Sequence, residues 1–276
     1  MRSTVTDPVS VAAPPPRSAR NVLYLDWDRE FIPWLTGKLR KVTRDEGPVP
    51  LAAPWKPGQH VALIGKTGEG KSTLAAGIMS ARKYVLALDP KGEDETLEAA
   101  GYTRVTGLPP KKKLPKDVQE DLDEGRPVRL VVGGASRTRE ADARLRQLME
   151  EALEYARQSG GWTVYVDEYQ LLADGRMYGL GPNVERMLIS ARRDKTSVVT
   201  AFQAPAWVPK AATRQSSIIV CWRTRDKDMV VNVARAAGRD WRMLGTVIDE
   251  LPKWHVLVIP DELRAPMIIT SAPKIN

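Results

Sequence analysis

Residues 65–73 read GKTGEGKST. Gly65, Gly70, Lys71 and Ser72 fit the phosphate-binding spacing G-x-x-x-x-G-K-[ST]. A glycine-rich turn lets backbone N–H groups curl around an anion, and a following helix points its positive end at the same charge. The cradle so defined comprises Gly65, Lys66, Thr67, Gly68, Glu69, Gly70, Lys71, Ser72 and Thr73. Lys71 is spaced to reach the β- and γ-phosphates of ATP, and the Ser72 hydroxyl to hold Mg²⁺. Downstream, WTVYVDEYQ ends an apolar run on Asp167 and Glu168. Asp167 supplies the hard oxygen that Mg²⁺ prefers, and Glu168 a base for an attacking water. The plainer reading, a strand ending in two solvated acids, is disfavoured by the phosphate loop upstream. In SVVTAFQAPAW, Gln203 closes a third apolar run. It is either a satisfied core amide or a group aimed at a ligand, since one amide can donate to a phosphate oxygen and accept from water.

These residues need a scaffold, and the pattern from Gly58 onward is strand, loop, helix, repeated. Expected strands are HVALIG (60–65), YVLALD (84–89), VRLVVG (128–133), WTVYVD (162–167), SVVTAFQ (197–203), SIIVCWR (217–223) and HVLVIP (255–260). Between them lie the helical stretches KSTLAAGIMSARK, READARLRQLMEEALEYARQ and DKDMVVNVARAAG. Near-continuous apolar strands alternating with amphipathic helices predict an α/β domain with a mainly parallel sheet sandwiched by helices. That domain is expected over 58–276. Residues 1–20, rich in Pro, Ala and Ser, are expected as a disordered tail. Residues 21–57 are expected as a helix, with Phe31, Trp34, Leu35 and Leu39 on one face and Pro33 in its first turn, followed by a Pro-rich linker. The apolar face of that helix suits docking on the main domain, or on a partner subunit.

Composition narrows the function. The 276 residues carry 42 Lys and Arg against 34 Asp and Glu, a formal charge of +8, which favours polyanionic partners. One cysteine and two histidines argue against a disulfide framework or a Cys/His zinc site. No apolar run approaches the ~18–20 residues that cross a bilayer, and the N-terminus lacks a secretory core. A cytoplasmic protein without membrane insertion is the expectation, in the host cytoplasm if the source is viral.

Taken in order, the pieces resemble the FtsK/HerA superfamily of P-loop ATPases, DNA-pumping motors of RecA-like fold. The resemblance rests on GKTGEGKS, LALDPKGE (86–93), VYVDEYQ, ISARRDKTSVVTAFQAP (189–205), SSIIVCWRTRDKDMVVNVARAAG and ELPKWHVLVIP. It implies that Gln203 senses the γ-phosphate. It also implies that Arg192 acts on a neighbouring subunit's nucleotide, with adjacent Arg193 and Arg223 as further candidates. An arginine acting in trans requires a ring, by resemblance a homo-hexamer. The implied partner is double-stranded DNA, gripped by its backbone without regard to sequence, with a portal or membrane protein as a possible second one. The chain departs from the pattern at Asp194-Lys195-Thr196, where a small residue and glycine are usual. It also lacks the family's N-terminal β-barrel, membrane helices and winged helix.

Basic loops suited to a DNA backbone are GLPPKKKLPK (107–116), SRTR (136–139) and ADGRMYGLG (173–181), the last with Arg176 as its contact. The lysine run serves equally well as a solvated loop. The reading is an ATP-hydrolysing double-stranded DNA translocase, with viral genome packaging as its process. A plasmid or chromosome DNA-transfer ATPase is the alternative within the same class. An ATP-binding switch or scaffold is the alternative outside it, but would not need Glu168. A small-molecule kinase would need an arginine-rich lid, and no loop here has that character.

Overall fold

A computed structural model describes residues 22–44, 47–50, 55–92, 94–134, 138–262 and 265–271. The tail expected over 1–20 lies outside them, as do Ser136 and Arg137 of the SRTR loop. The strands are β1 (Val22–Tyr24), β2 (Lys41–Arg44), β3 (Gly47–Pro50), β4 (His60–Ile64), β5 (Tyr84–Asp89), β6 (Thr103–Arg104), β7 (Val128–Gly133), β8 (Thr163–Val166), β9 (Ser197–Phe202), β10 (Ser216–Trp222), β11 (His255–Pro260) and β12 (Met267–Ser271). The helices are α1 (Ile32–Leu35), α2 (Lys71–Met79), α3 (Glu95–Ala99), α4 (Lys116–Asp123), α5 (Arg139–Ser159), α6 (Tyr169–Ala173), α7 (Gly181–Asp194), α8 (Ala211–Arg214), α9 (Lys227–Ala237) and α10 (Trp241–Asp249).

Ten strands form one sheet in the order β1-β12-β11-β10-β4-β9-β8-β5-β7-β6. The run from β10 to β6 is parallel throughout; β11 runs antiparallel to both its neighbours. All seven strands expected from the apolar runs are present, within a residue or two at their ends. Because side chains alternate across a strand, each one feeds two cores. Ala62, Ile64, Leu86 and Leu88 face a layer that includes α5, α7, α9 and α10, while Val61, Leu63, Val85 and Ala87 face α2 and α3.

The second layer is completed by the chain ahead of β4. β1 pairs in parallel with β12 at the sheet edge. A π-helical turn, Trp27–Phe31, runs into α1 with Pro33 in its first turn, where a missing N–H is tolerated. Trp27, Phe31, Trp34 and Leu35 are buried among Leu63, Leu74 and Ile78, with Leu39 packed beside them. In the stretch expected as a linker, β2 and β3 pair as an antiparallel ribbon. Trp55 is buried, donates from Nε1 to the Gln59 carbonyl at 2.7 Å, and carries the Arg82 guanidinium 3.7 Å from its ring centre.

One buried polar side chain ties three elements together. His60 opens β4, and its Nδ1 accepts the Val198 N–H of β9 at 2.9 Å. Its Nε2 therefore carries the hydrogen and donates to the Leu188 carbonyl of α7 at 3.1 Å.

Candidate functional site

The crossover order puts the C-terminal ends of β4, β9 and β8 side by side, where parallel sheets build their ligand crevices. Each of these ends carries one of the expected motifs.

The loop from β4 to α2 opens with the Gly65 N–H donating to the Phe202 carbonyl of β9 at 3.2 Å. Gly68 and Gly70 sit at φ 82° and 86°, which a side chain would strain. Gly65 needs to be glycine for a different reason: a Cβ there would come within 2.8 Å of the Trp222 ring and of Glu69 Oε2. Glu69 closes the loop on itself by accepting the Lys66 N–H at 2.7 Å. Lys71 is buried, and its Nζ donates to the Gly65 and Lys66 carbonyls, each at 2.9 Å. Burial lowers its pKa, opposed by the charges of Glu168, Asp167 and Glu69. An incoming phosphate would therefore meet an ammonium already turned into the loop.

At the end of β8, Asp167 accepts a hydrogen bond from the Tyr165 hydroxyl at 2.9 Å. That phenol is wholly buried and lies near Ser72, so it stands between the two residues expected to hold Mg²⁺. Burial raises the Asp167 carboxyl to about 6; the Tyr165 bond opposes this, while the charges of Asp94, Glu168 and Asp89 add to it. A partly buried carboxylate, crowded by other acids, gains from a divalent cation. No group of three or more His, Cys, Asp or Glu among the described residues is arranged to hold a metal alone. The donor set thus fits Mg²⁺ held by Ser72 and Asp167 together with phosphate and water oxygens.

Glu168 follows in a left-handed conformation, φ 44° and ψ 51°. Such a pose costs a non-glycine residue ~1–2 kcal/mol and persists only where the surroundings enforce it. Both of its carboxylate oxygens are engaged. Lys91 Nζ donates to Oε1 at 2.9 Å, and Gln170 Nε2 makes a short bond to Oε2. Burial pulls the Lys91 ammonium down, but the bond to Glu168 and the nearby acids outweigh it, so its pKa is raised. Lys91 is held in place by its turn, in which buried Asp89 accepts the N–H groups of Gly92 and Asp94.

Gln203 leaves β9 beside the phosphate loop and donates from Nε2 to Thr67 Oγ1 at 3.0 Å. Its amide is therefore not a satisfied core group; it faces the loop.

The arginines are more dispersed. Arg192 lies on α7, and its side chain is outside the described residues. Arg193 is exposed and donates to Asp194 at 2.9 Å. Arg223, one residue past β10, is half exposed and 3.9 Å from Asp249 of α10. Of the basic loops, Lys111 pairs with Glu151 at 2.7 Å and Lys112 bonds Thr106, so the lysine run is partly engaged. Thr138 caps α5 and Arg139 begins it. Arg176 is 90% exposed and pairs with Asp174 at 2.9 Å.

Three participants carried no expected role: Tyr165, Lys91 and Gln170. Tyr165 had a signal, because strand alternation puts it on the same side as Asp167. Lys91 had none, since its contact to Glu168 arises only once β5 and β8 lie side by side, and the Gln170 contact, though only two residues away, depends on the turn at Glu168.

No protein-family model matches the sequence, and no curated protein matches it. Solved structures do match in fold. The genome packaging NTPase B204 from Sulfolobus turreted icosahedral virus 2, in complex with sulfate, superposes with a TM-score of 0.54 at 14% identity, covering 80% of this chain and 100% of that one. Its complex with AMPPCP gives 0.53 at 16% identity, with the same coverage. VirB4 of Thermoanaerobacter pseudethanolicus gives 0.54 at 11% identity, covering 86% of this chain and 96% of that one. The chain shares its fold with these proteins, and at these identities the likeness is one of fold alone.

Proposed function

We propose that the chain is an ATP-hydrolysing motor that moves double-stranded DNA, with viral genome packaging as its process. The observation that carries this reading is the convergence of Lys71, Ser72, Asp167, Glu168 and Gln203 at three adjacent strand ends. A protein that only binds nucleotide has no use for Glu168 on a strained backbone beside the metal-type carboxylate.

In this reading the phosphate loop and Lys71 hold the β- and γ-phosphates of ATP, with Lys71 exchanging its loop carbonyls for phosphate oxygens. Ser72 and Asp167 hold Mg²⁺, which when bound offsets phosphate charge. Glu168 takes a proton from water as the water oxygen bonds to the γ-phosphorus. The bond from that phosphorus to the bridging oxygen breaks, leaving ADP and phosphate. Gln203, bonded at rest to Thr67, turns its amide to the γ-phosphate and the water. Arg192, Arg193 or Arg223 stabilises the transferring charge on a neighbouring subunit's nucleotide within a homo-hexameric ring.

Packaging is favoured because this chain spans the whole of the B204 packaging NTPase. A DNA-transfer ATPase is the second reading, and the chain also covers 96% of the solved VirB4 chain. Among the described residues no helix is long and apolar enough to cross a membrane, so either process would take any membrane or portal contact from a partner.

The test is ATP turnover with and without long double-stranded DNA, for wild type and Glu168→Gln. DNA-stimulated turnover that falls by ~100-fold or more in the variant, with ATP still bound, is the expected outcome. Turnover indifferent to both DNA and the substitution would sink the proposal.

A further inference from the structure

A cleft of about 730 Å³ opens beside Glu168, and no step of the proposed hydrolysis uses it. Its inner wall is Lys91, Glu168 and Gln170, and its outer wall includes Arg176 and Trp207. The lining comes from the segments that leave β5, β8 and β9, and β8 and β9 are the strands that lead to Glu168 and Gln203.

Trp207 is 63% exposed. It is held by the short 3-10 turn Pro205–Trp207, with its N–H donating to the Ala204 carbonyl at 3.1 Å, and Pro209 follows two residues later. A large indole presented on so stiff a ledge is a contact surface rather than a stray apolar group. Arg176 stands at the same mouth, and exposed Lys210 follows Pro209 directly. A cation and an aromatic face at the mouth, with a second cation next in sequence to the lining residue Pro209, suit a phosphodiester backbone, the cations on phosphates and the ring on sugar.

At the bottom of the cleft is the Lys91–Glu168 ion pair. Lys91 and Gln170 each take a lone pair of the Glu168 carboxylate, so without DNA the base is anchored by two donors that compete with water for it. Lys91 is half exposed, so it can leave Glu168 for a dense array of anions arriving at the cleft. Phosphates are such anions, and Arg176 can exchange Asp174 for one in the same way.

We propose that this cleft is where the backbone of double-stranded DNA engages, and that Lys91 is the positioning residue through which engagement releases Glu168. The proposal rests on the motor reading given above. It adds that the enzyme without DNA is self-restrained, and that hydrolysis is licensed by the polymer it acts on.

The experiment measures ATP turnover of the full chain over a range of double-stranded DNA concentrations. It compares wild type, Lys91→Ala, Lys91→Arg and Trp207→Ala, with binding of a fluorescent ATP analogue as the check on folding. Lys91→Ala turns over several-fold faster than wild type without DNA, and its stimulation by DNA falls toward one-fold. Lys91→Arg, which can rebuild the ion pair, keeps both the restraint and the stimulation. Trp207→Ala needs ~10-fold more DNA for half-maximal stimulation. If Lys91→Ala binds nucleotide but is no faster than wild type without DNA and is stimulated by the same factor, the restraint is refuted. If wild type turns over ATP with no response to DNA, it is the motor reading that fails, and the DNA-free rate of Lys91→Ala still decides on the restraint. If Trp207→Ala responds to the same DNA concentrations as wild type, the assignment of the cleft to DNA is overturned.

Discussion

Asp167→Asn should make the nucleotide-free protein more stable while removing its Mg²⁺-dependent chemistry. Burial raises the Asp167 carboxyl from 3.8 to about 6, so its charged form is held at a cost when no metal is present. A shift of ~2 units corresponds to at most ~3 kcal/mol, since each unit is ~1.4 kcal/mol. Asparagine has the same size and keeps an oxygen to accept from Tyr165, so we expect a gain of ~1–2 kcal/mol. The sign follows from proton counts. Between the unfolded and folded pKa values the native state binds more protons than the unfolded one, so stability falls as pH rises through that window. The cost of the aspartate is therefore absent below about pH 4 and complete above about pH 7. Thermal unfolding at matched scan rates reads this out: at pH 8 the variant melts ~2–8 °C above wild type, and near pH 4 the two coincide. With Mg²⁺ and a non-hydrolysable ATP analogue the order reverses, because only the wild type gains from the metal. A variant less stable at pH 8, or one with an equal gain at both pH values, would refute this account of the site.

Two other substitutions test the geometry further. Gly65→Ala pushes a methyl group against the Trp222 ring and Glu69, and should weaken ATP binding at least ~10-fold in a nucleotide titration while the far-ultraviolet circular dichroism is unchanged. Arg192→Ala should leave ATP binding intact and remove turnover, and mixing it with Lys71→Ala subunits should restore part of the rate. If no mixing ratio rescues turnover, the same experiment with Arg223→Ala decides between the two arginines.

Much of the fold was legible because the parallel strands are buried on both faces and read as apolar runs. VRLVVG and HVLVIP have the very bounds of β7 and β11. The edges were not legible. β1 and β6 have three and two residues, too short for any periodicity, and β12 is recognisable only by its pairing with β11. The chain ahead of β4 was readable as an amphipathic helix from Phe31, Trp34, Leu35 and Leu39, of which the helical part ends at Leu35, while the strand before it and the ribbon after it depend on tertiary pairing. The same division runs through the site. Residues fixed by local chemistry, such as the phosphate loop and the Asp-Glu pair, were visible as motifs. The Lys91–Glu168 contact joins residues 77 apart, and no local pattern encodes it.

The His60 imidazole has a mechanical consequence. It sits at the opposite end of β4 from the phosphate loop and latches that strand to β9 and α7. The strand that feeds Lys71, the strand that ends at Gln203 and the helix that bears Arg192 thus share one fulcrum. A pull on α7 from an adjoining subunit would be felt at the nucleotide as a tilt of a stiff block and not as the bending of a loop. The latch is also conditional: protonating the ring would set an N–H at Nδ1 against the Val198 N–H, and acid would loosen the lever at its pivot while leaving its working end intact.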